Sequence, residues 1–194
     1  MTSGAHPLAM VRKRRADLQK TRGAVVLVHG FGQNRYTWHT SRRSFANYLA
    51  DQGFDVFNAD LRGHGRSRSF GAPRPKVLDE YIRRDMPSFV SEAKKLSGHD
   101  RVFLIGHSMG GLISYSAAAT SVRDDVVGVV SIGSPYRFGE GSRFLQALGA
   151  LAKAVRFTGA FNSNPIVPLR FVGEHLRDRR LLWDTSMLPM PIRA

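Results

Sequence analysis

A chain of 194 residues with 42% hydrophobic content is long enough to bury one sizeable globular core. It has no cysteine, which excludes disulfides, a thiolate nucleophile and cysteine-based metal sites. Its formal charge of +14 invites an anionic partner. Yet the densest basic run, Arg12 to Arg15, lacks the interleaved aromatics on which single-stranded bases stack, so nucleic acid is not an expected partner.

No apolar signal-peptide core follows that basic run, and no stretch approaches the length of a membrane span. The expectation is a cytoplasmic protein with no integral membrane segment. The first apolar run, "AVVLV" at Ala24 to Val28, is β-branched and closes on glycine, as a strand buried on both faces does. "SRRSFANYLADQG" follows as a helix whose apolar face carries Phe45, Tyr48 and Leu49, stopped by Gly53. "FDVFNAD" reads as a second strand running into a glycine-bounded turn. The stretch from Val77 to Gly98 reads as helical, with Met86, Phe89, Val90 and Ala93 at helical spacing and Pro87 in the first turn of its main part. "RVFLIGHS" gives a third strand, "MGGLISYSAAATS" a helix and "VVGVVSIGS" a fourth strand. Alternation of this kind predicts an α/β class, a parallel sheet with helices on both faces.

Chemistry in such a sheet gathers at the carboxyl ends of the strands. The third strand runs straight into Gly106-His107-Ser108-Met109-Gly110. A serine on so tight a strand-to-helix turn is held in a strained conformation. Small residues two before and two after it relieve the crowding, and the helix N-terminus behind favours a developing negative charge.

Three motifs in order, "HGFG" (His29 to Gly32), "DLRGHGRS" (Asp60 to Ser67) and "GHSMGG" (Gly106 to Gly111), resemble those of the α/β-hydrolase superfamily, its serine esterases and lipases in particular. The likeness runs from about Gly23 to Pro135. It implies Ser108 as nucleophile, with the backbone N–H groups of Phe31 and Met109 as the oxyanion hole. His29 and His107 then read as residues that orient and pack their loops, and His64 as a turn residue. The histidines show no ligand spacing on one helix face, so no metal is expected, and the resemblance implies no cofactor.

The resemblance also implies a triad acid and histidine on loops after later strands. Beyond Ser131 no further strand is legible, and two amphipathic helical stretches take its place. The chain therefore reads as truncated at its C-terminus: 1–135 as the N-terminal part of the hydrolase core, 136–194 as an incomplete helical cap or lid. Glu140 and His175 are the candidate triad partners that respect the order, although His175 lies in a helical pattern and Glu140 reads equally as a solvated loop charge. The expected function is a serine hydrolase acting on a small-molecule carboxylic ester through an acyl-enzyme. Phe31, Phe138 and Phe144 favour an acyl or aromatic ester over a charged one. A peroxidase or an acyltransferase using the same serine stays open. The alternative is an inactive fragment or interaction module that keeps the fold without the triad, and the chain alone is expected to cleave an aryl ester barely above background.

Overall fold

The computed structural model describes residues 2–3, 6–40 and 43–134, which fall in the first of two compact units, Met1–Pro135. The expected cap, with Phe138, Glu140, Phe144 and His175, lies outside the described residues.

Two short strands, β1 (Thr2–Ser3) and β2 (His6–Pro7), pair antiparallel at the start of the chain. The main sheet holds β3 (Ala9–Lys13), β4 (Ala24–Val28), β5 (Asp55–Asp60), β6 (Val102–His107) and β7 (Val126–Ile132), in the order β3-β5-β4-β6-β7. The last four run parallel, as the alternation of strands and helices predicts. β3 corrects the all-parallel expectation, because it lies antiparallel on β5 at the sheet edge. It is also where the basic run begins. Arg12 donates to both oxygens of the fully buried Asp55 at 2.9 and 2.6 Å, while Arg14 and Arg15 stay exposed.

β4 sits at the centre, and its five residues are all buried. Successive side chains of a strand point to opposite faces. Accordingly Val25 and Leu27 join Val56 and Ile105 on one face, against Ala46, Ala50 and Trp38. Ala24, Val26 and Val28 join Phe57 and Leu104 on the other, against Phe89, Val90, Ile113 and Ala117. The centre of the sheet is therefore covered on both sides, and the continuous apolar run of β4 follows from that, whereas β7 at the edge exposes Val127, Val130 and Ile132.

The first face is covered by helix α1 (Phe45–Asp51), capped by the Ser44 hydroxyl, which accepts from the Asn47 N–H at 3.0 Å. The buried residues of α1 are Ala46 and Ala50, not the expected Phe45 and Tyr48, which are exposed. Small side chains let the helix approach the sheet. The larger Phe45 packs instead against Trp38 at the rim, with ring centroids 5.7 Å apart. The opposite face takes α3 (Met86–Ser97) and α4 (Met109–Ala119), and Met86, Phe89, Val90 and Ala93 are buried as their spacing predicts. α3 ends on Gly98 at φ 74°. Before it the chain forms a wide turn, Tyr81–Asp85, in which the Met86 N–H bonds the Tyr81 carbonyl. Pro87 has no N–H to offer the carbonyl four residues back, so a regular α ladder cannot run through this point.

Candidate active site

β6 delivers His107 and then turns sharply into α4 at Ser108, whose φ of 53° and ψ of −121° make it the one described non-glycine residue at positive φ. The surrounding glycines show what this turn demands. A Cβ on Gly106 would overlap the backbone of Gly110 and Gly111, and one on Gly110 would overlap the carbonyl oxygens of Val28 and His29. The Ser108 N–H donates to the Ile132 carbonyl at 2.9 Å, and its own carbonyl accepts from Gly111 and Leu112 in the first turn of α4. Ser108 thus stands at a helix N-terminus in a conformation that an L-residue adopts only under constraint.

The loop after β4 lies directly beside it. A Cβ built on Gly30 would come 3.2 Å from the Ser108 Cβ and 3.3 Å from His107 Nδ1. Phe31, next in the chain, is 65% exposed. Neither the Phe31 N–H nor the Met109 N–H has a hydrogen-bond partner among the described residues, whereas the Gly30 N–H donates to Gln33 Oε1 at 2.9 Å. Among the described residues the two expected oxyanion donors are therefore unengaged, on loops brought within contact of each other.

His29 is fully buried and ties this loop to the next one. Its Nε2 accepts from the Leu61 N–H at 3.1 Å, which leaves Nδ1 as the protonated nitrogen that donates to the Gly30 carbonyl at 2.8 Å. Burial first, and the neighbouring His64 ring at 5.0 Å second, push its pKa from 6.5 down to about 4. The ring is neutral at physiological pH. His64 also has a lowered pKa, chiefly from burial. Its Nδ1 bonds the Arg62 carbonyl at 2.9 Å, and its Nε2 is buried without a partner among the described residues. His107, half-buried, is shifted down by burial as well.

The "DLRGHGRS" turn is built from charge. Asp60, fully buried, accepts from the Arg35 N–H at 2.8 Å, the Arg35 guanidinium at 2.6 Å and the Arg66 N–H at 2.9 Å. It thereby joins the loop after Phe31 to the short helix α2 (Gly65–Ser69). Arg62, 1% exposed, lies between Asp85 and Glu80, with Nε 2.6 Å from Asp85 Oδ1. Sequence reasoning missed Arg62 and Gln33. Arg62 was legible as an arginine inside a glycine-rich turn, but its partners sit in the wide turn and at its start, which only the fold brings near. Among the described residues no three histidine, aspartate or glutamate side chains converge as a metal-binding group, and no helix is long and apolar enough to cross a membrane.

The family model for the alpha/beta hydrolase fold matches residues 23–182. The chain belongs to this family. Among curated hydrolases it is similar to human lipase member K, 32% identical over 107 residues, which cover 50% of this chain and 27% of that one. It is also similar to epoxide hydrolase 3 of Xenopus tropicalis, at 27% identity over 62% of this chain and 30% of that protein. Among solved structures, the monoacylglycerol lipase of Paleococcus ferrophilus matches with a TM-score of 0.52 and 28% identity, over 77% of this chain and 51% of that one. The chain thus spans about a third or less of the length of these curated relatives, and about half of the solved one.

Proposed function

We propose that the chain is a serine hydrolase acting on carboxylic esters, with Ser108 as nucleophile and the N–H groups of Phe31 and Met109 as oxyanion donors. The observation that carries this reading is the positive-φ Ser108 at the mouth of α4, beside a loop whose Phe31 N–H has no partner among the described residues. In the proposed reaction the Ser108 hydroxyl oxygen attacks the ester carbonyl carbon, and the carbonyl π pair moves onto oxygen, where the two N–H groups meet it. A base takes the hydroxyl proton. Collapse of the tetrahedral adduct breaks the carbon–alkoxide bond, the proton leaves with the alcohol, and water releases the acid from Ser108 by the same route.

Similarity to a lipase, a monoacylglycerol lipase and a pimeloyl-[acyl-carrier protein] methyl ester esterase supports an ester substrate. Relatives that are epoxide hydrolases share the fold, but the hydroxyl at position 108 fits acyl transfer better than the carboxylate nucleophile of epoxide opening. Exposed Phe31 at the mouth of the site favours an apolar acyl or aryl group. Residues 136–194 are assigned to the cap, and Glu140 and His175 are the candidates there for acid and base.

Labelling of the full chain with a fluorophosphonate, together with turnover of an aryl ester, tests this reading. Label on Ser108 that vanishes in Ser108→Ala, with ester turnover barely above background, is the expected result; robust turnover lost in His175→Ala and Glu140→Ala would instead make those residues the base and the acid. A folded chain that takes no label at Ser108 would overturn the enzyme reading in favour of an inactive interaction module.

A further inference from the structure

Gln33 reaches back three residues to the site without belonging to the motif that precedes it. Its side-chain oxygen accepts from the Gly30 N–H at 2.9 Å and lies 3.1 Å from His107 Nδ1. An oxygen facing a backbone N–H must be the carboxamide oxygen, since the amide nitrogen would set donor against donor. The same oxygen can only accept from His107, so His107 must carry its proton on Nδ1. Gln33 Oε1 therefore bridges the residue before Phe31 and the residue before Ser108, the two places where the backbone turns toward the proposed oxyanion.

We propose that Gln33 is a positioning residue that sets the separation of the Phe31 and Met109 N–H groups by clamping the Gly30 loop to the Ser108 turn. The clamp also takes up the Gly30 N–H, which keeps that group from competing with the Phe31 N–H for the oxyanion. The inference rests on the reading of Ser108 as nucleophile. Its geometry does not: the tautomer of His107 follows from the contact alone.

The experiment has two arms on the full chain. Nitrogen-15 correlation spectra of the histidine rings report the His107 tautomer, and the Nδ1–H form is expected. In Gln33→Leu, which cannot accept a hydrogen bond, that form is lost. The second arm measures fluorophosphonate labelling of Ser108 with the maximal rate and the half-saturating concentration determined separately. Gln33→Leu is expected to lower the maximal rate about ten- to a hundredfold, the cost of small misplacements in a preorganised site, and to leave half-saturation within about twofold. Merely structural damage would instead lower the fraction of labelled protein and the melting temperature without this split. An Nε2–H tautomer in the parent overturns the proposal without any variant. So does a lost tautomer accompanied by an unchanged rate. A parent that folds, shows the Nδ1–H form and takes no label at Ser108 removes the nucleophile reading, and the positioning role with it, while leaving the contact established.

Discussion

Ser108 and Ile132, at the ends of neighbouring strands, are joined by one hydrogen bond of 2.9 Å from the serine N–H to the isoleucine carbonyl. That bond, together with the close-packed glycines around it, holds the serine at φ 53° and ψ −121°, a conformation glycine adopts freely. Such strain costs on the order of 1–3 kcal/mol. Ser108→Gly should therefore raise the unfolding free energy by about 1 kcal/mol in denaturant melts, after allowing for the greater freedom of glycine in the unfolded chain. Ser108→Ala should bring no such gain. Equal stability of the two variants would mean that the turn is unstrained.

Gly110 lies beneath the carbonyl oxygens of Val28 and His29, backbone atoms that cannot swing aside. Gly110→Ala forces strand and helix apart and should cost at least about 2–3 kcal/mol. Gly32 offers the control, since a Cβ there meets nothing within 4 Å and only its φ of 69° opposes substitution. Gly32→Asn, which tolerates that φ, should cost well under 1 kcal/mol. A smaller loss at Gly110 than at Gly32 would contradict the packing argument.

His29 makes stability depend on pH. Its folded pKa is depressed to about 4 from 6.5, so the unfolded chain binds the extra proton across that interval. Stability is then full above about pH 6.5, falls as pH drops through the window, and levels off below about pH 4, a loss on the order of 3 kcal/mol. Lowered His64 adds in the same direction. Denaturant melts of His29→Gln should show a lower midpoint at pH 7 and a flatter decline toward pH 5. A slope as steep as the parent's would exclude His29 as its source.

Arg62 and Asp85 form an ion pair with side chains 1% and 0% exposed. Removing one partner leaves a buried charge, so Arg62→Met should cost roughly 3–5 kcal/mol. In Arg62→Met combined with Asp85→Leu only the partly exposed Glu80 loses its arginine, and the double variant should lose clearly less than the sum of the singles. Additive losses would show that the two side chains act independently.

The backbone plan was legible because it rests on local pattern. The continuous apolar run Ala24–Val28, the helical spacing of Met86, Phe89, Val90 and Ala93, and Gly98 as a stop all reappear as elements. The Ser108 turn was legible for the same reason: its glycine-serine-glycine signature lies within five consecutive residues. What escaped depends on contacts between distant segments. α1 buries its alanines because the sheet demands a close approach, which periodicity alone cannot weigh against two aromatic side chains. The antiparallel direction of β3 is decided by pairing with β5 across the intervening β4 and α1. Gln33 needs His107, 74 positions away, before its bridging oxygen has any meaning.

Asp60 has a consequence in time as well as in space. Its carboxylate takes the N–H groups of Arg35 and Arg66, two residues just beyond the carboxyl edge of the sheet. Amides in surface loops ordinarily trade hydrogen with solvent during small local openings. These two can open only if a fully buried carboxylate loses its partners, so each opening carries much of the cost of undoing the sheet end itself. In deuterium the Arg35 and Arg66 amides should therefore exchange on the slow clock of β4 and β5 rather than on the fast clock expected at the start of a short surface helix. The rim around Ser108 would then breathe with the sheet and not apart from it.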